Sequence, residues 1–213
     1  LKRQLEYTDG PTRLHTAYSF YLLRAQQAAP DIFLNAMQGW GAANVPAWSL
    51  SNHDVIRFPT RLCADDPARV KLMLAVLLAL RGVIFLYQGD ELGLPHAEVP
   101  FDRLQDPEAI AFWPHGIGRD GARTPMPWRA SANMAGFTEA ADAWLPLDPR
   151  HRALAVDAQE TDADSVLSFA RQMIALRSAT PALRAGPVAP RSARDGVLAF
   201  ERGEGPMIVL CLF

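Results

Sequence analysis

The chain has 213 residues, 49% of them hydrophobic, enough apolar material for one large domain or two small ones. Its 21 basic and 23 acidic side chains leave a formal net charge of −2, so the electrostatics imply no nucleic-acid or polyanion partner. The two cysteines, Cys63 and Cys211, are far apart and make no C-x-x-C pair, which makes a reduced, cytoplasmic setting the expectation. No secretory signal heads the sequence, and it opens on Leu1 without an initiator Met, so a piece of something longer is expected.

Leu1 to Gly10 carries mixed charge and closes on a Thr8-Asp9-Gly10-Pro11 turn signal. Leu14 to Phe20 reads as a strand, rich in aromatic and β-branched residues, which Tyr21-Leu22-Leu23 either extends or leaves as a loop. A short helix is expected from Asp31 to Met37, closed by Gly39.

Ala47 to Leu50 again reads as a strand, but it ends in Asn52-His53-Asp54, with Arg57 three residues on. An Asx-type turn is one reading of that triplet. The other is the C-terminal end of a barrel strand, where (β/α)8 enzymes place their chemistry. There Asp54 can stabilise a developing cation, and His53 and Arg57 can bind the hydroxyls of a sugar.

Asp65-Asp66 supplies an N-cap and Pro67 the first position of a helix that Arg81-Gly82 ends. Its interior, Leu72 to Leu80, is apolar almost all round, yet far short of the about 20 residues a membrane span needs. A buried helix is predicted. Val83 to Tyr87 follows as a continuous apolar run, the mark of a parallel strand covered on both faces. The loop Gln88 to Gly93 contains adjacent carboxylates, Asp90 and Glu91. Neighbours on an extended backbone point opposite ways, so a structural role is expected for both.

Leu94 to Pro149 shows little periodicity, but its aromatic residues argue against disorder. Within it, Arg119 and Arg123 flank an Asp-Gly turn, followed by Trp128. A hydroxyl clamp and an internally paired surface loop are the two readings. Thr161-x-x-Asp164 resembles a capping pattern, and Val166, Phe169, Met173 and Leu176 recur at helical spacing as core-facing residues until Thr180-Pro181. Beyond Gly186, Val197 to Phe200 and Met207 to Phe213 read as strands joined by a Gly-rich hairpin connection.

Strand and helix alternate through the first half, the pattern of parallel βα units. Strands at 15–20, 47–52 and 83–87 are too few for a complete barrel of about 250 residues. The expected fold class is α/β, a partial (β/α)8 TIM barrel.

Trp48 to Arg57, Tyr87 to Gly93 and, most specifically, Arg119-Asp120-Gly121-Ala122-Arg123-Thr124-Pro125-Met126-Pro127-Trp128 resemble the α-glucosidase branch of glycoside hydrolase family 13, the α-amylase family. The resemblance spans nearly the whole chain. It implies that residues 1–184 form the C-terminal part of the barrel, its last three strands and their helices. Residues 185–213 then begin an antiparallel C-terminal β-domain. It further implies that Asp54 is the third catalytic carboxylate, a transition-state stabiliser, that His53 binds the same glucosyl unit, and that Arg119 or Arg123 grips the non-reducing-end glucose. Arg57 falls near the same pocket.

A retaining mechanism needs a nucleophile and an acid/base about 5–5.5 Å apart. In the family these lie on earlier strands, outside this chain, and Asp90, Glu91, Asp102 and Glu108 do not replace them. The resemblance therefore implies part of a retaining α-glucosidase acting on a small α-glucoside or malto-oligosaccharide, with possible glucosyl transfer. No cofactor, no metal and no nucleic-acid or membrane partner is expected, and the resemblance implies a need for the rest of the barrel. Alone, the chain is expected to be inactive. A trehalose synthase, an oligo-1,6-glucosidase and a non-catalytic relative are the alternatives.

Overall fold

The computed structural model describes residues 2–41, 44–116 and 118–213. They fall into two compact units. The first comprises Leu1–Leu50, Lys71–Phe85 and Arg171–Phe213, the second Ser51–Val70 and Leu86–Ala170.

In the first unit, β1 (Ala17–Tyr18), β2 (Pro46–Trp48) and β3 (Val83–Ile84) form a parallel sheet in that order. Ala17 faces Pro46, and Ala47 faces Val83. Each strand is shorter than its sequence predicts, although single bonds prolong the ladder. Ser19 N–H donates to Ala47 O at 2.9 Å and Phe85 N–H to Trp48 O at 2.8 Å. Leu22–Arg24 is a 3₁₀ turn, which stops β1 from extending. Gly82, with φ of +125°, sits where a Cβ would overlap Pro46 O, so glycine lets β3 start against β2.

Central β2 is buried along its length, and Trp48 Nε1–H donates to Arg81 O at 2.8 Å. The expected cover on both faces of the third strand is not observed. Val83 is 40% and Phe85 51% exposed. They share one side of the pleat with a period of two, and no described element covers that side. Tyr18 packs edge-on against Phe20 and Phe85 there, at 5.3 and 6.1 Å.

The predicted buried helix is present as Pro67–Ala79, with Ala68 N–H donating to Asp66 Oδ1 at 2.9 Å. Leu74, Val76, Leu77 and Leu78 are buried. Its last carbonyls, orphaned in any helix, and those of the turn that follows are met by two distant arginines. Arg177 donates to Leu78 O, Leu80 O and Gly82 O at 2.6, 2.8 and 2.8 Å. Arg202, fully buried, donates to Ala79 O and also to Leu183 O and Gly186 O.

An antiparallel sheet, β4 (Val188–Arg194), β5 (Val197–Arg202) and β6 (Val209–Leu212), ends the chain, and the helix Pro30–Trp40 packs on β4 and β5. β4 is missing from the sequence expectation because Pro190-Arg191-Ser192 breaks its apolar alternation. As an edge strand with a bulge between Pro190 and Ser192, it tolerates the proline. Asp195 and Gly196, both at positive φ, make the tight turn into β5.

The helix Val166–Ala179 starts later than the capping pattern predicts. Ser165 Oγ accepts from Ser168 N–H at 3.1 Å, whereas the Thr161 hydroxyl donates back to Ala158 O at the end of a short helix, Val156–Glu160. Nor do all four spaced residues face a core. Val166 is buried, but Leu176 is 50% exposed. The C-terminal end of the helix is anchored by the polar reach of Arg177 instead.

The second unit is mostly turns, as the low periodicity of 94–149 predicts. Leu92, Leu94, Met126 and Leu167 form its core, with Leu154 and Val156 packed against it. The Gln159 amide binds it together. Its Nε2–H donates to Leu92 O and Leu154 O, both at 2.9 Å, while Oε1 accepts from Leu167 N–H at 3.0 Å. Phe58–Cys63, Pro107–Ala111 and Pro149–Arg152 are helices of one or two turns, too short for periodicity to reveal. Among the described residues, no helix is long and apolar enough to cross a membrane.

Candidate active site

The sequence-predicted residues of 51–57 and 119–123 all lie in the second unit. Where the chain leaves β2, Asn52 Oδ1 accepts from Asp54 N–H at 2.8 Å. This is the Asx turn one reading predicts, and it turns His53 and Asp54 outward. Their side chains are 63% and 49% exposed, and His53 Nε2 lies 3.4 Å from Asp54 Oδ2.

The other carboxylate oxygen faces two guanidiniums. Arg123 Nη2–H donates to Asp54 Oδ1 at 3.2 Å, and its Nε–H donates to His53 O at 2.9 Å. Arg119 Nη1 stands 3.8 Å from the same Oδ1. Three of the sequence-predicted groups thus converge on Asp54. A carboxylate flanked this way keeps lone pairs free for ligand hydroxyls. A negative charge fixed in this way can also stabilise positive charge developing on a bound ligand.

The arginines differ in what else they do. Arg119 is engaged by Asp106, a carboxylate the sequence reading passed over. Its backbone N–H and Nε–H donate to Asp106 Oδ2, each at 2.8 Å, and Nη2–H donates to Oδ1 at 2.7 Å. Those guanidinium bonds hold the Asp106 carboxyl well below the usual carboxylate range and push Arg119 up. The signal available in the sequence was Asp106-Pro107, an N-cap with proline at the first helical position.

Arg57 is not brought to the surface beside Asp54. It is 1% exposed and donates to Gln88 O at 2.6 Å and to Ala122 O at 3.0 Å, with its guanidinium carbon 5.2 Å from the Tyr87 ring centre. The Tyr87 hydroxyl donates to the same Ala122 O at 2.9 Å. Arg57 thereby fixes the residue immediately before Arg123.

Asp90 and Glu91 serve their own loop, Asp90 Oδ2 accepting from Tyr87 N–H at 3.3 Å and Glu91 Oε2 from Gly89 N–H at 2.8 Å. Burial pushes Asp90 up to about 7, against the opposing pull of Arg57. His96, nine-tenths buried, accepts Arg57 N–H at Nδ1 (3.4 Å) and is pulled down to about 4 by burial and by Arg57. Among the described residues, no group of three or more acidic, histidine or cysteine side chains is arranged to hold a metal.

This geometry can be set beside known proteins. The α-amylase catalytic-domain family matches residues 6–186. The chain belongs to that family. It is 39% identical over 219 residues to a probable α-glucosidase of Rhizobium meliloti, covering 98% of this chain and 38% of that protein. The crystal structure of the α-glucosyl transfer enzyme XgtA superposes with a TM-score of 0.90 at 44% identity, over 99% of this chain and 40% of the other. The trehalulose synthase MutB from Pseudomonas mesoacidophila MX-45 gives 0.82 at 27% identity, over 94% and 42%.

The α-amylase-family chain thus spans about two fifths of the relatives it matches. Its parallel sheet and its three-stranded antiparallel sheet belong to the fold those relatives share.

Proposed function

We propose that this chain is the C-terminal portion of a retaining α-glucosidase that releases terminal, non-reducing α-linked glucose from a small α-glucoside or malto-oligosaccharide. The observation that carries the reading is Asp54, half exposed, with Arg123 and Arg119 on one oxygen and His53 beside the other. In the proposed mechanism the nucleophile and acid/base lie outside this chain. Asp54 holds sugar hydroxyls and steadies the oxocarbenium-like transition state between them. His53 binds the same glucosyl unit. Arg123, whose Nη2–H donates to Asp54 and whose Nε–H donates to His53 O, is the sugar-gripping arginine. Arg57 acts from beneath, by fixing Ala122.

The fold reading that accompanies this is a partial (β/α)8 barrel over residues 1–184, followed by the start of a β-domain over 185–213. Exposed Val83 and Phe85 support it, since a parallel strand is normally covered on both faces. Glucosyl transfer is the second reading, favoured by the 44% identity to a glucosyl transfer enzyme.

The test is turnover of p-nitrophenyl α-glucoside by this chain alone and by a polypeptide that joins it to the missing carboxylates. The reading requires no turnover from the first. From the second it requires glucose released as the α-anomer, with transfer products appearing when an acceptor sugar is added. Release of the β-anomer, or turnover by the pure 213-residue chain, overturns it.

A further inference from the structure

We infer that Asp106 is a positioning residue of the Asp54 site, one that sets the direction of the Arg119 guanidinium and holds it as a fixed cation beside Asp54. The inference rests on the α-glucosidase reading above. Of the three guanidinium nitrogens of Arg119, two donate to Asp106. The third, Nη1, is the one 3.8 Å from Asp54 Oδ1. A planar fork bound on one edge has little freedom left, so the direction of Nη1 is set by Asp106.

Asp106 is itself held rigidly. It is 2% exposed, and its Oδ1 accepts from Glu108 N–H at 3.2 Å. Asp120 fixes it from the other strand of the loop, Oδ2 accepting from Gln105 N–H at 2.6 Å and Asp106 N–H at 2.8 Å. The two carboxylates therefore fasten residues 105–106 to 119–120 from both directions. Gly118 permits the approach, because a Cβ there would overlap Ala109 and lie 3.3 Å from Asp106 Oδ2. By contrast, Arg103 and Asp142 form an ion pair at 2.8 Å with Asp142 62% exposed, and nothing ties that pair to Asp54.

An alternative is that Asp106 serves only as the N-cap of Pro107–Ala111. A double-mutant cycle separates the two roles, run in the polypeptide that joins this chain to its nucleophile and acid/base. If Asp106 acts through Arg119, then D106N, R119Q and the double variant each lower kcat/KM on p-nitrophenyl α-glucoside by a similar factor, about 10- to 100-fold, because the second change has nothing left to remove. D142N leaves it unchanged. Losses that multiply in the double variant overturn the inference. Should D106N fail to fold, R119Q decides alone, and activity within about threefold of the parent overturns it. A parent inactive on α-glucosides removes the glucosidase reading and this inference with it. An active parent with R119Q unaffected removes only the inference.

Discussion

Replacing Arg57 with Met should destabilise the protein by about 3–5 kcal/mol, the cost of removing one partner from a buried charge network. The magnitude follows from what the side chain does. It is 1% exposed and donates two hydrogen bonds to carbonyls, at Gln88 and Ala122. Each bond from a charged donor is worth about 1.5–3 kcal/mol. Methionine regains part of this through apolar burial, about 2 kcal/mol, but it takes the donor from Gln88 O, leaves Ala122 O with the Tyr87 hydroxyl alone of the two, and leaves Asp90 without its neighbouring cation. Arg57→Lys keeps the charge and loses the fork, so it should lie between the two. Urea unfolding at pH 7, followed by tryptophan fluorescence, measures the difference. A loss below about 1 kcal/mol would refute the reasoning. A variant of unchanged stability whose only defect is a raised KM, read in the polypeptide that joins this chain to the missing carboxylates, would restore Arg57 as a substrate contact.

Two buried groups give opposite pH dependence. His96 is pulled from 6.5 to about 4, so between those values the unfolded chain binds a proton the folded chain does not. Its contribution is present above pH 6.5 and is lost as pH falls toward 4, by up to about 1.4 kcal/mol per pH unit. Asp90, pushed up from 3.8 to about 7, binds its proton in the folded state, so its contribution falls as pH rises through that window. Unfolding midpoints between pH 4 and 8 should therefore fall less steeply toward acid in H96Q, and should fall less as pH rises in D90N. Profiles parallel to the parent would contradict both assignments. For the loop, Gly118→Ala should cost about 2 kcal/mol or more, since it combines positive φ with overlap on Ala109, whereas Gly205→Ala, at similar φ in open space, should cost about 1 kcal/mol. Thermal unfolding of the two variants checks the ranking.

The parts of the fold visible in the sequence are those written in local chemistry. The helix Pro67–Ala79 carries its cap, its proline and its stop, and the three parallel strands follow apolar runs. β4 was invisible because a proline and two polar residues are tolerated only by an edge strand, and edge position is a tertiary property. The two-sided cover expected of the third strand reflects what such an apolar run meets in a closed sheet, whereas Val83 and Phe85 lie open here. In the site, His53, Asp54 and the two loop arginines were legible as residue types suited to hydroxyls. Their division of labour was not. Arg57 and Arg123 look alike in sequence, and only burial separates the scaffold from the group that reaches Asp54. Asp106 stands 13 residues before Arg119, a pairing no local pattern encodes.

The most direct measurement is kcat for Asp54→Asn in the polypeptide that unites this chain with its nucleophile and acid/base, assayed on p-nitrophenyl α-glucoside. If Asp54 faces the developing positive charge, neutralising it should lower kcat by on the order of 10²–10³ or more, with the fold retained. A loss smaller than about tenfold, in a protein that unfolds at the parent's temperature, would contradict the assignment of this site.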